Sequence, residues 1–182
     1  MKDYLRFIPN LISLVRISLV VPTVLNLLAS KYIFALILFA IASLSDAVDG
    51  FLARFFKWQT DLGKILDPVA DKLLMIGSIT ALWLNQIVPL SVFIIFVLRD
   101  LLILLGAAFE MSITEKTPSP NLIGKITTTS QIIYILSLII FEIFNVDTNP
   151  LIFHILIGFI TLFSLISYFR WWLKNNFINQ NA

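Results

Sequence analysis

The chain has 182 residues, of which 59% are hydrophobic and 13% charged, against ~25% charged in an ordinary soluble domain; that balance excludes a soluble domain and predicts one compact helical bundle in lipid. The formal net charge of +2, with no basic arm, argues against a nucleic-acid partner and leaves anionic lipid headgroups as the fitting one. There is no cysteine, which excludes disulfides, thiolate metal sites and a cysteine nucleophile.

A spanning helix needs about 20 mostly apolar residues, and six such segments follow one another. The first runs from Pro9 to Leu28. With Lys2 and Arg6 ahead of it, it could pass for a signal peptide, but it is long for one, Arg16 interrupts it, and the rest of the chain is equally apolar. The others run from Tyr32 to Phe55, Gly63 to Leu84, Val88 to Phe109, Leu122 to Phe144, and Leu151 to Trp172. Asn85-Gln86 and Asp147 to Pro150 mark short turns, and Ser112 to Asn121, with Pro118 and Pro120, reads as the longer loop. Strands are excluded because the apolar runs are continuous and too long. The expected fold is an all-α integral membrane protein with six transmembrane helices, forming a single membrane domain over residues 1–182.

Six spans place both termini on one side. Lys2, Arg6, Arg54, Lys57, Lys64, Lys116, Lys125, Arg170 and Lys174 gather at or near that side, with Lys31 clearly opposite. Basic residues mark the cytoplasmic face, so both termini are expected in the cytoplasm, in a multi-pass arrangement suited to a bacterial inner membrane. Trp58, Trp171 and Trp172 fit interfacial anchors or ordinary membrane aromatics equally well.

The exceptional stretch joins the second span to the third. Asp46 and Asp49 lie late in one, Asp67 and Asp71 early in the next. Residues three or four apart share a helix face, so these are two pairs, at similar depth on consecutive antiparallel helices, able to face each other at the cytoplasmic end. One aspartate at a membrane edge can be a solvated cap. Four repel one another and lose hydration, so they need a strong positive partner. Arg54, Lys57, Lys64 and Lys72 are near, but long basic side chains at this depth snorkel outward. Hard divalent cations suit carboxylate oxygen, and with no cysteine and with His154 on a distant span, magnesium fits better than zinc. A two-metal site of this kind can hold a pyrophosphate. Gly50 and Gly63 permit close approach of a ligand or a helix, Pro68 removes a backbone donor inside the third helix, and each taken alone is equally well explained by helix packing.

The stretch resembles the signature D-x2-D-G-x2-A-R-x8-G-x3-D-x3-D of the CDP-alcohol phosphatidyltransferases, with Asp46, Asp49, Gly50, Ala53, Arg54, Gly63, Asp67 and Asp71 filling its eight fixed positions over 26 residues. The resemblance implies that the four aspartates bind one or two divalent ions, Mg2+ or Mn2+. It implies that Asp71 also acts as the general base, and that Gly50, Ala53, Arg54 and Gly63 seat the cytidine diphosphate of CDP-diacylglycerol. It leaves a homodimer open.

The acceptor alcohol is carried by other residues. Arg16, Arg99 and Lys125 are candidates for binding an acceptor phosphate; the alternatives are a structural pairing of Arg99 with Asp100, Glu110 or a backbone carbonyl and a snorkelling end residue at Lys125. Ile8-Pro9-Asn10-Leu11 with Arg16, the Leu66 to Lys72 segment, and Gly124-Lys125 with its threonines resemble the phosphatidylglycerophosphate synthase branch, whose acceptor is glycerol 3-phosphate. Arg99-Asp100, with no basic residue in the turns that follow, is instead similar to cardiolipin synthases, whose acceptor is phosphatidylglycerol. Two other classes fit less well. A membrane prenyltransferase leaves the Gly-x2-Ala-Arg element unexplained, and an ion transporter predicts polar residues at several depths. Glu142 reads as an interfacial residue and His154 as a structural histidine.

Overall fold

The computed structural model describes residues 8–56, 61–114, 122–146 and 150–173. They form six helices: α1 (Ile8–Leu28), α2 (Tyr32–Phe55), α3 (Asp61–Leu84), α4 (Leu90–Thr114), α5 (Leu122–Phe144) and α6 (Leu151–Leu173). Five match the expected spans to within two residues at each end. Helix α4 differs: it continues past Phe109 to Thr114, into the segment expected to open the loop. Glu110 and Met111 favour helix, and the first strong breaker is Pro118.

The chain divides into two compact units, the first made of residues 1–88 and 135–148, the second of residues 89–134 and 149–182. In the first, α1 packs along both α2 and α3, while among the described residues α2 and α3 meet only briefly. Three contacts set the register of α1 on α3. Ser13 bonds Asp67, Val20 and Val24 lie against Gly77, and the Asn85 side chain donates to the Leu27 carbonyl at 2.8 Å. The partners rise together in number, so the two helices are parallel. The buried stripe of α1 comprises Ser13, Arg16, Thr23 and Leu27, the spacing of one helical face. Small buried residues opposite it, Ala70, Ser78 and Ala81 on α3 and Ala35 and Ala42 on α2, let the backbones come close, as membrane helix pairs require.

Helices α1, α3 and α5 end alike. Ser30, Gln86 and Asn145 take positive φ of 55, 62 and 48°, and the next amide reaches back five residues: Lys31 to Asn26 at 2.8 Å, Ile87 to Leu82 at 3.0 Å, Val146 to Phe141 at 3.0 Å. These are Schellman caps, which satisfy carbonyls that would otherwise be orphaned at the helix end. The turn expected at Asn85-Gln86 is therefore present as a cap.

In the second unit α4 and α6 pack together and run parallel, since Arg99 meets Ser164 and Gly106 meets Tyr168. The first turns of α5 run the other way: Arg99 reaches Gly124 and Thr128, and Tyr134 shares a 2.7 Å hydrogen bond with Nδ1 of His154. That bond gives His154 the structural role expected of it.

Several polar side chains are buried, and many large apolar ones are exposed. Arg16, Arg99, Asp100, Gln131 and Thr161 are inside, while Phe153, Phe159, Phe163 and Phe169 of α6 are outside. An apolar exterior of this extent suits hydrocarbon. Among the described residues three helices are long and apolar enough to cross a membrane, at Leu11–Leu28, Leu122–Phe144 and Leu151–Arg170, and the protein is a multi-pass membrane protein.

The packing of α4 on α6 turns on one glycine. A β-carbon at Gly106 would collide with the hydroxyl and ring of Tyr168, whereas one at Gly158 meets nothing within 4 Å. Gly106→Ala is expected to destabilise the detergent-solubilised protein by ~1–3 kcal/mol, the usual cost of overpacking, and Gly158→Ala to leave its thermal unfolding unchanged. Equal midpoints for the two variants would contradict this close approach.

Candidate active site

Gly63, Asp67 and Asp71 follow one another at intervals of four on α3 and so share a face. Gly63 is buried and both aspartates are half-buried. The Ser13 hydroxyl on α1 donates to Oδ1 of Asp67 at 2.5 Å, and Ser13 has no exposed surface. The Lys72 ammonium stands 3.4 Å from Oδ2 of Asp71. Asp46 and Asp49 lie one turn apart on the last part of α2. Their side chains, and those of Gly50, Ala53 and Arg54, lie outside the described residues.

Sequence reasoning missed Ser13. Its partner is 54 residues away, and a lone serine in a membrane helix has many local roles. The available signal was its spacing from Arg16: two polar residues one turn apart on one face of an otherwise apolar span.

Carboxylate oxygens are the donor type that a hard divalent cation takes. Asp67 and Asp71 present them on one face at a half-buried position, so the described part of the cluster fits such an ion. Among the described residues no three His, Asp or Glu side chains converge.

The residues considered for an acceptor phosphate are differently placed. Arg16 is fully buried on the α1 stripe, one turn from Ser13. In the second unit, Arg99 is 1% exposed and Asp100 0%. The Arg99 guanidinium donates to Oδ1 of Asp100 at 2.6 Å, to the Gly124 carbonyl at 3.2 Å, to Ser164 Oγ at 3.4 Å and to Thr128 Oγ1 at 3.5 Å. It joins three helices. The pairing with Asp100 is the structural alternative considered from the sequence. Lys125, next to Gly124, is exposed. At the far end of the first unit, Lys31, Tyr32 and Glu142 line a shallow cavity of about 280 Å³.

The sequence profile of the CDP-alcohol phosphatidyltransferase family matches residues 6–173. Among individual proteins, the chain is 31% identical over 169 residues to a CDP-diacylglycerol--glycerol-3-phosphate 3-phosphatidyltransferase of Aquifex aeolicus, covering 92% of this chain and 94% of that one. A protein of the same name from Bacillus subtilis is 32% identical over 148 residues, 73% of this chain and 76% of that one. A CMP-forming cardiolipin synthase of Rattus norvegicus is 30% identical over 155 residues, 76% of this chain and 51% of that one.

The Arg99 cluster sets a stability expectation. Removing one partner of a buried ion pair strands the other charge, at ~3–5 kcal/mol. Asp100→Asn is expected to lower the unfolding midpoint strongly in detergent, and the double variant Arg99→Met/Asp100→Leu to recover most of the loss. A midpoint for Asp100→Asn equal to wild type would show that the pair carries no structural weight.

Proposed function

This chain belongs to the CDP-alcohol phosphatidyltransferase family, and from that premise we propose that it transfers the phosphatidyl group of CDP-diacylglycerol to glycerol 3-phosphate, forming phosphatidylglycerophosphate and CMP. The observation that carries the reading is the α3 stripe of Gly63, Asp67 and Asp71, three of the eight signature positions, with both carboxylates at a half-buried site. Two relatives that match most of this chain, at 31% and 32% identity, are named for the glycerol 3-phosphate acceptor.

In this reading all six helices span the membrane, both termini and the site face the cytoplasm, as in a bacterial inner membrane, and residues 1–182 form one membrane domain. Asp46 and Asp49 join Asp67 and Asp71 in holding one or two Mg2+ or Mn2+ ions. Bound there, such ions supply charge neutralisation of the pyrophosphate. Gly50, Ala53, Arg54 and Gly63 seat the cytidine diphosphate, and the acyl chains stay in lipid. The Asp71 carboxylate accepts the proton of the acceptor hydroxyl. That oxygen forms a bond to the phosphorus attached to diacylglycerol, the bond from this phosphorus to the bridging oxygen breaks, and CMP leaves. No covalent intermediate with the chain is needed. Arg16 and Lys125 remain candidates for the acceptor phosphate. Arg99, already engaged by Asp100, Gly124, Thr128 and Ser164, is better suited to holding α5 in position than to meeting the acceptor.

A second reading takes phosphatidylglycerol as the acceptor and cardiolipin as the product. The buried Arg99–Asp100 pair and a relative named cardiolipin synthase favour it. The two separate in one assay. Purified protein in liposomes with CDP-diacylglycerol and Mg2+ is expected to release CMP when glycerol 3-phosphate is added, with phosphatidylglycerophosphate as the lipid product. Release with phosphatidylglycerol alone would move the assignment to cardiolipin synthesis, and no release with any alcohol would sink the transfer reaction.

The assignment of the base has its own test. Asp71→Asn is expected to lower kcat by roughly 10²–10⁴, the range of general base catalysis, while CDP binding changes little. Asp46→Asn is expected to weaken metal-dependent CDP binding as well as turnover. Equal losses of binding and turnover in both variants would remove the distinct role of Asp71.

A further inference from the structure

We propose that Ser13 is a positioning residue of the acidic site, acting through Asp67; this rests on the reading in which Asp67 holds a divalent cation. None of the signature positions lies on α1, yet α1 supplies the side chain that meets one of them.

Three observations carry the inference. The Ser13 hydroxyl donates to Oδ1 of Asp67, and hydrogen bonds to an ionised carboxylate are stronger than those between neutral groups. Ser13 is completely buried, so water does not compete for the bond. The α1–α3 register is set independently at two further levels, by Val20 and Val24 against Gly77 and by Asn85 on the Leu27 carbonyl, which holds Ser13 opposite Asp67.

A carboxylate on a helix can rotate about its side-chain bonds, and a cation bound to a freely rotating ligand must immobilise it. The Ser13 bond removes that freedom beforehand. It engages Oδ1, and among the described residues nothing engages Oδ2, so that oxygen is the one offered to a cation. Hydrogen bonds that orient a metal ligand in this way typically change metal affinity or activity by about 10- to 100-fold when lost. The hydroxyl also matches the ionised carboxylate, which only accepts.

The test uses full-length protein in detergent and reads Mn2+ binding by calorimetry or by the loss of the free-ion electron paramagnetic resonance signal, alongside the Mg2+ dependence of CMP release. Ser13→Ala is expected to weaken Mn2+ binding by about 10- to 100-fold and to raise the Mg2+ concentration for half-maximal rate by a similar factor. Ser13→Thr and Ser13→Val add nearly the same volume and differ in the hydroxyl. Threonine is expected to keep most of the wild-type affinity and valine to behave like alanine. Equal affinities for the threonine and valine variants, or wild-type affinity for Ser13→Ala, would overturn the role of Ser13. Asp67→Asn tests the underlying reading separately: if it binds Mn2+ as wild type does, Asp67 is not a cation ligand, whatever the Ser13 variants show.

Discussion

Helix α1 runs parallel to α3 and packs along α2 as well, and the acidic end of the first unit depends on that packing. A half-buried carboxylate has lost part of its hydration and must be held by something else. Asp67 is held by a hydroxyl from α1, and the same buried stripe carries Arg16 one turn further on. Rotating α1 by a single residue, about 100°, would carry Ser13 away from Asp67. The register is therefore defended along the whole length of the helix, by the closeness of Gly77 to Val24 in the middle and by the Asn85 side chain at the far end.

The second unit answers the same constraint with a different device. Lipid offers no hydrogen bonds, so each buried polar group must find its partner in protein. Arg99 does so across three helices, through Asp100 on its own, Gly124 and Thr128 on α5 and Ser164 on α6. The Tyr134–His154 bond repeats the α5–α6 link nearer the other end. Beyond the Arg99 tie the α4–α6 contact is made by shape, with Tyr168 lying where Gly106 has no side chain. Polar bonds fix which faces meet, and small residues fix how closely.

Much of the architecture was legible in the sequence. Six continuous apolar runs separated by turn residues became six helices with almost the expected bounds, because in lipid a helix satisfies its own backbone and nothing else competes. The continuation of α4 to Thr114 is not legible from hydropathy, because the polar residues Ser112 and Thr114 fit a loop as well as a helix end, while Glu110 and Met111 before them are good helix formers. Among the site residues, the pairing of Asp67 with Asp71 and the alignment of Gly63 follow from spacing alone. Spacing does not show that α1 takes most of the contact with both aspartate helices, because that contact joins segments far apart in the chain.

The sequence by itself determined the helical class, the lipid environment and the family, because hydrophobic run length and an eight-residue signature are local properties that one strand of text contains. Tertiary structure alone decided that Ser13 meets Asp67 and that Arg99 is enclosed by Asp100, Gly124, Thr128 and Ser164. A buried serine or arginine can bond to any face that turns toward it. Which face does so is set by the rotation and register of whole helices, and those arise from the summed packing of residues 25 to 65 positions apart.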